Sequence, residues 1–167
     1  INAVNAVKSA HQPASFIGMD SNGASAIFRT TGNDCCHLIL RGGDQSPNYY
    51  EDDVEAARKL MESANIHPSI IIDCSHANSR KNYERQKRVL RSLVDQVCWG
   101  EKAIKGFMLE SNLEAGCQKI PADLSLLKYG VSVTDACIGW DETERIMLHA
   151  CDLLRKARSE GGSQQPL

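Results

Sequence analysis

The sequence predicts an α/β fold, a parallel sheet covered by helices, and three observations carry that prediction. Short apolar runs recur at "CHLILRGG", "PSIIIDCSH" and "AIKGFMLES". Each is followed, the last after a loop, by a longer stretch whose apolar residues recur at helical spacing. The runs are continuous rather than alternating, as in strands buried on both faces, and strand–helix alternation of this kind builds consecutive βα units.

Composition sets the bounds. A chain of 167 residues with 42% hydrophobic and 24% charged content is long enough for one globular domain and too rich in apolar residues for disorder. A formal net charge of −2 offers no surface for nucleic acid or an acidic membrane, and 5% aromatics make a base-stacking platform unexpected. No signal segment or membrane-length apolar run is present. The seven cysteines form an odd set without CxxC spacing and read as reduced thiols, so a cytoplasmic location is expected.

In chain order, "INAVNAVK" has helical periodicity through Ile1, Val4 and Val7 but no initiator Met and no N-cap, so a helix whose start lies upstream is expected. "FIGMDSNGASAIF" reads as a β-hairpin turning at Ser21, Asn22 and Gly23. The first βα strand covers about 36–43. It is followed by a helix from about Asp52 to Asn65 with Val54, Ala57, Leu60, Met61 and Ala64 on its buried face. The second strand ends in "DCSH", and a helix from about Lys81 to Cys98 buries Tyr83, Leu90, Leu93, Val94 and Val97. The third strand spans about 103–111. The last helix runs from about Glu142 to Ala157, with a capping-box pattern in Asp141 and Glu144. "SEGGSQQPL", residues 159–167, reads as a disordered tail.

The polar residues of these units share one position. Arg41, His76 and Glu110 each stand at or just beyond the C-terminal end of a different strand, where parallel α/β proteins gather their functional loops. Asp135 follows in the loop before the last helix. A histidine with two carboxylates suits a divalent metal such as Mn, Fe, Co or Zn. Arg41 beside Gly42 and Gly43 suits a phosphate, which takes a guanidinium fork and tolerates close backbone approach. Bland readings stand beside these. His76 is otherwise a structural histidine, Glu110 a solvated carboxylate, Asp135 a turn residue and Arg41 a partner for Asp44. Asp73 is a candidate to orient His76 or contact substrate. Lys105 reads as a snorkelling residue, and Asp34 and Glu114 as loop charges.

"ILRGG", "IDCSHANS", "ESNLEAG" and "YGVSVTDACIGW", in this order, closely resemble the C-terminal half of class I 3-deoxy-D-arabino-heptulosonate 7-phosphate (DAHP) synthases. The resemblance covers residues 1–158 and implies the last three βα units of a (β/α)8 TIM barrel, with a hairpin (about 15–30) inserted before the sixth strand. It implies condensation of phosphoenolpyruvate with erythrose 4-phosphate, the first step of aromatic amino-acid synthesis. His76, Glu110 and Asp135 fall on the family's metal ligands, and Arg41 on its contact to the phosphoenolpyruvate phosphate. The family's cysteine ligand lies on an early strand, so Cys74 is not its counterpart. Phe16 and Gly18 fall on effector-contact positions, and Gly at position 18 leaves room for a phenol hydroxyl, which favours tyrosine as the inhibitor. A homo-oligomer is expected for the full-length enzyme. Three strands cannot close a barrel, so this chain alone is expected to be inactive. Two other readings are a non-catalytic effector-binding or interaction module and a different phosphate-binding metal aldolase.

Overall fold

The structure is a computed structural model, and it describes residues 2–43 and 46–161. Ile1, Asp44, Gln45 and residues 162–167 lie outside the described residues. These include Ile1 of the expected first helix, the proposed Asp44 partner of Arg41 and most of the expected tail.

The chain opens with helix α1 (Asn2–His11), which buries Val4. Strands β1 (Ser15–Met19) and β2 (Ser25–Arg29) then pair antiparallel in a separate two-stranded sheet, Ser15 opposite Arg29 and Gly18 opposite Ala26. Their turn follows from its sequence. Asp20 Oδ1 accepts from the N–H groups of Asn22 and Ala24, both at 2.9 Å, and Gly23 takes φ +81°, which only glycine adopts cheaply. The pairing is continuous, and the Phe28 ring lies over Gly18, where an added Cβ would sit 2.9 Å from two ring carbons. Gly18 is therefore neither a bulge nor a kink. It makes room for the Phe16–Phe28 stack, whose centroids are 5.6 Å apart.

The main sheet is parallel, in the order β3 (Leu38–Leu40), β4 (Ile70–Asp73), β5 (Ile104–Met108). Helices α2 (Glu51–Ser63), α3 (Gln86–Cys98) and α4 (Trp140–Gly161) complete the alternation. Leu38, Leu40, Ile70, Ile72 and Ile104 pack with Val54 and Met61 of α2 and Val89, Leu90, Leu93 and Val94 of α3 in one core. The opposite face carries Ile39, Ile71, Gly106 and Met108 in register. Ile39 and Met108 are each 42% exposed there. Helix cover is thus one-sided among the described residues, although parallel strands are normally buried on both faces.

The strands are shorter than the apolar runs predict, because backbone pairing stops before the polar ends. Leu60, expected in the core, is 41% exposed, while Val89, absent from the expected stripe, is buried. Helix α3 begins at Gln86 rather than Lys81. Arg80 and Lys81 adopt φ +55° and +57°, which ends one turn, and a short 3₁₀ turn (Tyr83–Arg85), capped by Asn82 Oδ1, precedes the helix. At α4 the expected capping box does not form. Asp141 lies inside the first turn, and the Gly139 carbonyl instead accepts from Thr143 N–H (3.0 Å) and Oγ1 (2.9 Å). Asp141 and Glu142 then complement the helix dipole from the first turn. Helix α4 continues through Gly161, so residues 159–161 are helical rather than tail. No helix among the described residues is long and apolar enough to cross a membrane.

Candidate metal and anion site

The site is built where β4 ends. Ile70 and Ile72 anchor the strand with no exposure, and Asp73, also buried, turns the chain by accepting Ser75 N–H on Oδ1 at 2.8 Å. His76 follows with φ +49°, a conformation rarely taken by a side-chain-bearing residue and found disproportionately at functional sites. Its Nδ1 is buried 2.7 Å from Asp73 Oδ2, but the contact lies off the N–H direction and makes no hydrogen bond. A carboxylate beside Nδ1 favours the tautomer protonated there, which leaves the Nε2 lone pair 3.7 Å from Glu110 Oε1.

Glu110 lies two residues beyond β5, and buried Gln86 clamps it there. Glu110 N–H donates to Gln86 Oε1 at 2.8 Å, and Gln86 Nε2 donates back to the Glu110 carbonyl at 3.0 Å. Ser75 Oγ donates to Glu110 Oε2 at 2.6 Å, tying the ends of β4 and β5 together. Asp135 arrives by backbone pairing. Ile138 N–H donates to the Glu110 carbonyl and Asn112 N–H to the Ile138 carbonyl, both at 3.0 Å, so the segment before α4 runs alongside the end of β5. One ligand atom each of His76, Glu110 and Asp135 then lie within 4.8 Å of one another. One imidazole nitrogen and two carboxylates are a donor set that fits a divalent metal ion.

Arg41 lies beside this group, lining with His76, Arg80 and Lys81 a cleft of about 810 Å³. A chain of amides positions its loop. Asn78 Nδ2 donates to the carbonyls of Leu40 (3.0 Å) and Asp73 (2.8 Å), and its Oδ1 accepts Asn48 N–H at 2.8 Å. Asn48 Oδ1 in turn accepts Gly42 N–H at 2.6 Å. Gly42 has φ +80°, and a Cβ there would meet Ala77 Cβ at 2.6 Å, so only glycine lets the Arg41 loop pack on the turn bearing His76. Arg41 has no ion-pair partner among the described residues. Cys74 is buried, and burial, with Asp73 next to it, pushes its thiol well above the usual range, the opposite of what a thiolate ligand needs. Phe16 and Gly18 lie away in the β1–β2 sheet. Lys105 is exposed near the start of β5, as its snorkelling reading requires, and Asp34 stands 3.5 Å from His11 Nδ1.

Gln86, Asn78 and Asn48 are positioning residues that motif reading alone passes over. Gln86 left a trace, a polar side chain at helical spacing with Leu90, Leu93 and Val97 on the buried stripe. The two asparagines left none, because their role depends on contacts across three loops.

A parallel sheet that brings a candidate metal-binding group and an arginine to its carboxyl end defines an α/β protein with its candidate site on the strand rim. The family model described as "DAHP synthetase I family" matches residues 1–148, and the chain belongs to that family. It is 47% identical over 158 residues to a putative phospho-2-dehydro-3-deoxyheptonate aldolase of Schizosaccharomyces pombe, covering 94% of this chain and 43% of the relative. It is 46% identical over 145 residues to the Tyr-sensitive enzyme of Escherichia coli, covering 87% of this chain and 40% of that one. The solved phospho-2-dehydro-3-deoxyheptonate aldolase of Francisella tularensis superimposes with a TM-score of 0.84 at 39% identity, over 92% of this chain and 44% of that structure. The chain therefore spans about two fifths of the length of these relatives.

Proposed function

We propose that these residues supply part of the active site of a phospho-2-dehydro-3-deoxyheptonate aldolase (DAHP synthase) that condenses phosphoenolpyruvate with erythrose 4-phosphate in the cytoplasm. The observation that carries this reading is the convergence of His76, Glu110 and Asp135 beside the Arg41 cleft at one end of a parallel sheet. Residues 1–158 form one domain on this reading, the last three βα units of a (β/α)8 barrel with the β1–β2 hairpin inserted. The one-sided cover supports it. Ile39, Ile71 and Met108 sit where a closed barrel has its packed interior.

His76 Nε2, Glu110 and Asp135 hold the metal, and Mn, Fe, Co or Zn bound there supplies Lewis acidity toward the aldehyde oxygen of the acceptor sugar. Asp73 and Ser75 orient His76 and Glu110. Arg41 holds the phosphoenolpyruvate phosphate through its guanidinium fork, in a loop that Gly42 lets approach the metal ligands. Regulation falls to the hairpin, with Phe16 and Gly18 contacting an aromatic amino acid. Tyrosine is favoured because the E. coli relative is named Tyr-sensitive and that of Candida albicans tyrosine-inhibited. The full-length enzyme is a homo-oligomer on this reading.

The test is a fusion in which residues 1–158 replace the matching segment of the E. coli relative, assayed for phosphoenolpyruvate consumption with erythrose 4-phosphate and Mn²⁺. Activity is expected in the fusion, loss of it in His76→Ala and Glu110→Gln, and none in the 167-residue chain alone. Activity in the short chain would overturn the incomplete-barrel argument. A folded but silent fusion would leave an effector-binding or interaction module.

A further inference from the structure

Between the segment leading into α2 and the start of α3 lies a second cleft, of about 160 Å³, lined by Pro47, Tyr49, Asn78, Arg80, Arg85 and Arg88 among others. Three guanidinium groups share it, and no carboxylate among the described residues lines it. Arg58, Arg91, Arg145 and Arg155 each have a carboxylate partner, whereas Arg80, Arg85 and Arg88 have none among the described residues. Like charges gathered without a counter-charge repel one another, and an anion between them relieves that repulsion.

The backbone aims one of the three. Arg80 and Lys81 are consecutive non-glycine residues in the left-handed region, a conformation held by hydrogen bonds from Arg80 N–H to the Ala77 carbonyl (3.0 Å) and Lys81 N–H to the His76 carbonyl (2.8 Å). Arg80 thereby stands in the wall shared with the Arg41 cleft. Asn78, fixed by its three hydrogen bonds, forms a rigid part of the lining. Tyr49 is no hidden counter-anion. Burial pushes its hydroxyl up to about 12, against the opposing fields of Arg88 and Arg80, so it keeps its proton and stays neutral.

We propose that this cleft is a second phosphoryl-binding site, distinct from Arg41, which takes a phosphate dianion either as free inorganic phosphate or as the head of a small phosphate monoester. Guanidinium forks match phosphate oxygens in pairs, and three of them satisfy a phosphoryl group more fully than a single carboxylate. The volume decides the size of the ligand. At about 30 Å³ per water it holds roughly five waters, room for a phosphate and a little of what it is attached to but not for a nucleoside. The site depends neither on the metal group nor on the condensation proposed above.

Titration of the chain with inorganic phosphate, followed by calorimetry and ³¹P NMR, tests this directly. The same titration in the fusion protein gives an answer should the open sheet make the short chain aggregate. Two binding events are expected in the parent. Arg85→Ser/Arg88→Ser should weaken one of them by on the order of tenfold per arginine, the scale of a charge-assisted hydrogen bond, and Arg41→Ala should remove only the other. Both substituted arginines of the pair are exposed, so helical circular dichroism should be unchanged. Equal binding of glycerol 3-phosphate and inorganic phosphate to the cleft of Arg80, Arg85 and Arg88 identifies free phosphate as sufficient, and tenfold tighter monoester binding identifies the monoester. A double variant that binds phosphate like the parent, loss of all binding in Arg41→Ala alone, or a parent with a single event overturns the proposal. None of these readouts uses catalytic activity, so they stand apart from the fate of the proposed reaction.

Discussion

Replacing Gln86 by leucine keeps a side chain of similar volume on the buried stripe of α3 but removes both of the hydrogen bonds that Gln86 makes to the Glu110 backbone. The two ends of that clamp are not equivalent. The Glu110 carbonyl still accepts from Ile138 N–H at 3.0 Å, so losing the Gln86 amide there costs only an ordinary hydrogen bond, about 1 kcal/mol. The Glu110 N–H has no second acceptor among the described residues and becomes an unsatisfied donor, costing about 1–3 kcal/mol. The sum is about 2–4 kcal/mol of stability, measurable as a shift in the urea midpoint at unchanged slope. Glu110 carries a proposed metal ligand, so Mn²⁺ affinity should fall about 10–100-fold, the usual cost of losing a group that orients a ligand. Calorimetric Mn²⁺ titration of the folded variant separates the two effects. Destabilisation with unchanged Mn²⁺ affinity would refute the claim that Gln86 positions the ligand, and no change in either would refute the clamp altogether.

Two further substitutions probe the framework. Gly42→Ala puts a Cβ against Ala77 at a positive φ and should cost about 2–4 kcal/mol from left-handed strain and overpacking together. In the fusion its KM for phosphoenolpyruvate should rise, and a Tm and KM equal to the parent's would show that the loop yields freely. Cys74 should resist alkylation in the native chain while exposed Cys35, Cys117 and Cys151 react. Its folded-state value lies above the usual thiol value of 9.0, so the proton stays on in the native state while the unfolded chain loses it. Stability is therefore full below that value and falls as pH rises through it, by about 1 kcal/mol at about pH 10. Cys74→Ala should flatten this decline, and an equally steep decline in the variant would assign it to other groups.

Much of this protein was legible before any coordinates. The α/β alternation, the hairpin turn at Ser21, Asn22 and Gly23, the parallel strands and the rim positions of Arg41, His76, Glu110 and Asp135 follow from local pattern and motif. Apolar period and turn chemistry are properties of neighbouring residues, readable without knowing what lies across the fold. Boundaries were less legible. Strands ended early because pairing depends on the neighbouring strand, and α3 began late because the turn after His76 takes two left-handed residues that propensity disfavours. Leu60 of α2 proved exposed and Val89 of α3 buried because the angle at which each helix lands on the sheet selects its buried face.

The tertiary structure alone decided how the site is held together and what stands next to it. Gln86 reaches across 24 positions to Glu110, Asn78 across 38 to Leu40, and Ser75 across 35 to Glu110. Contacts at such separations have no local signature, since any polar residue at a strand end looks alike until the fold supplies its partner. The same holds for the arginine cleft. Arg80, Arg85 and Arg88 read in sequence as ordinary solvated cations. They become one candidate anion site only when the turn after β4 and the start of α3 bring them to the same side as Tyr49, with no carboxylate among the described residues lining the space between them.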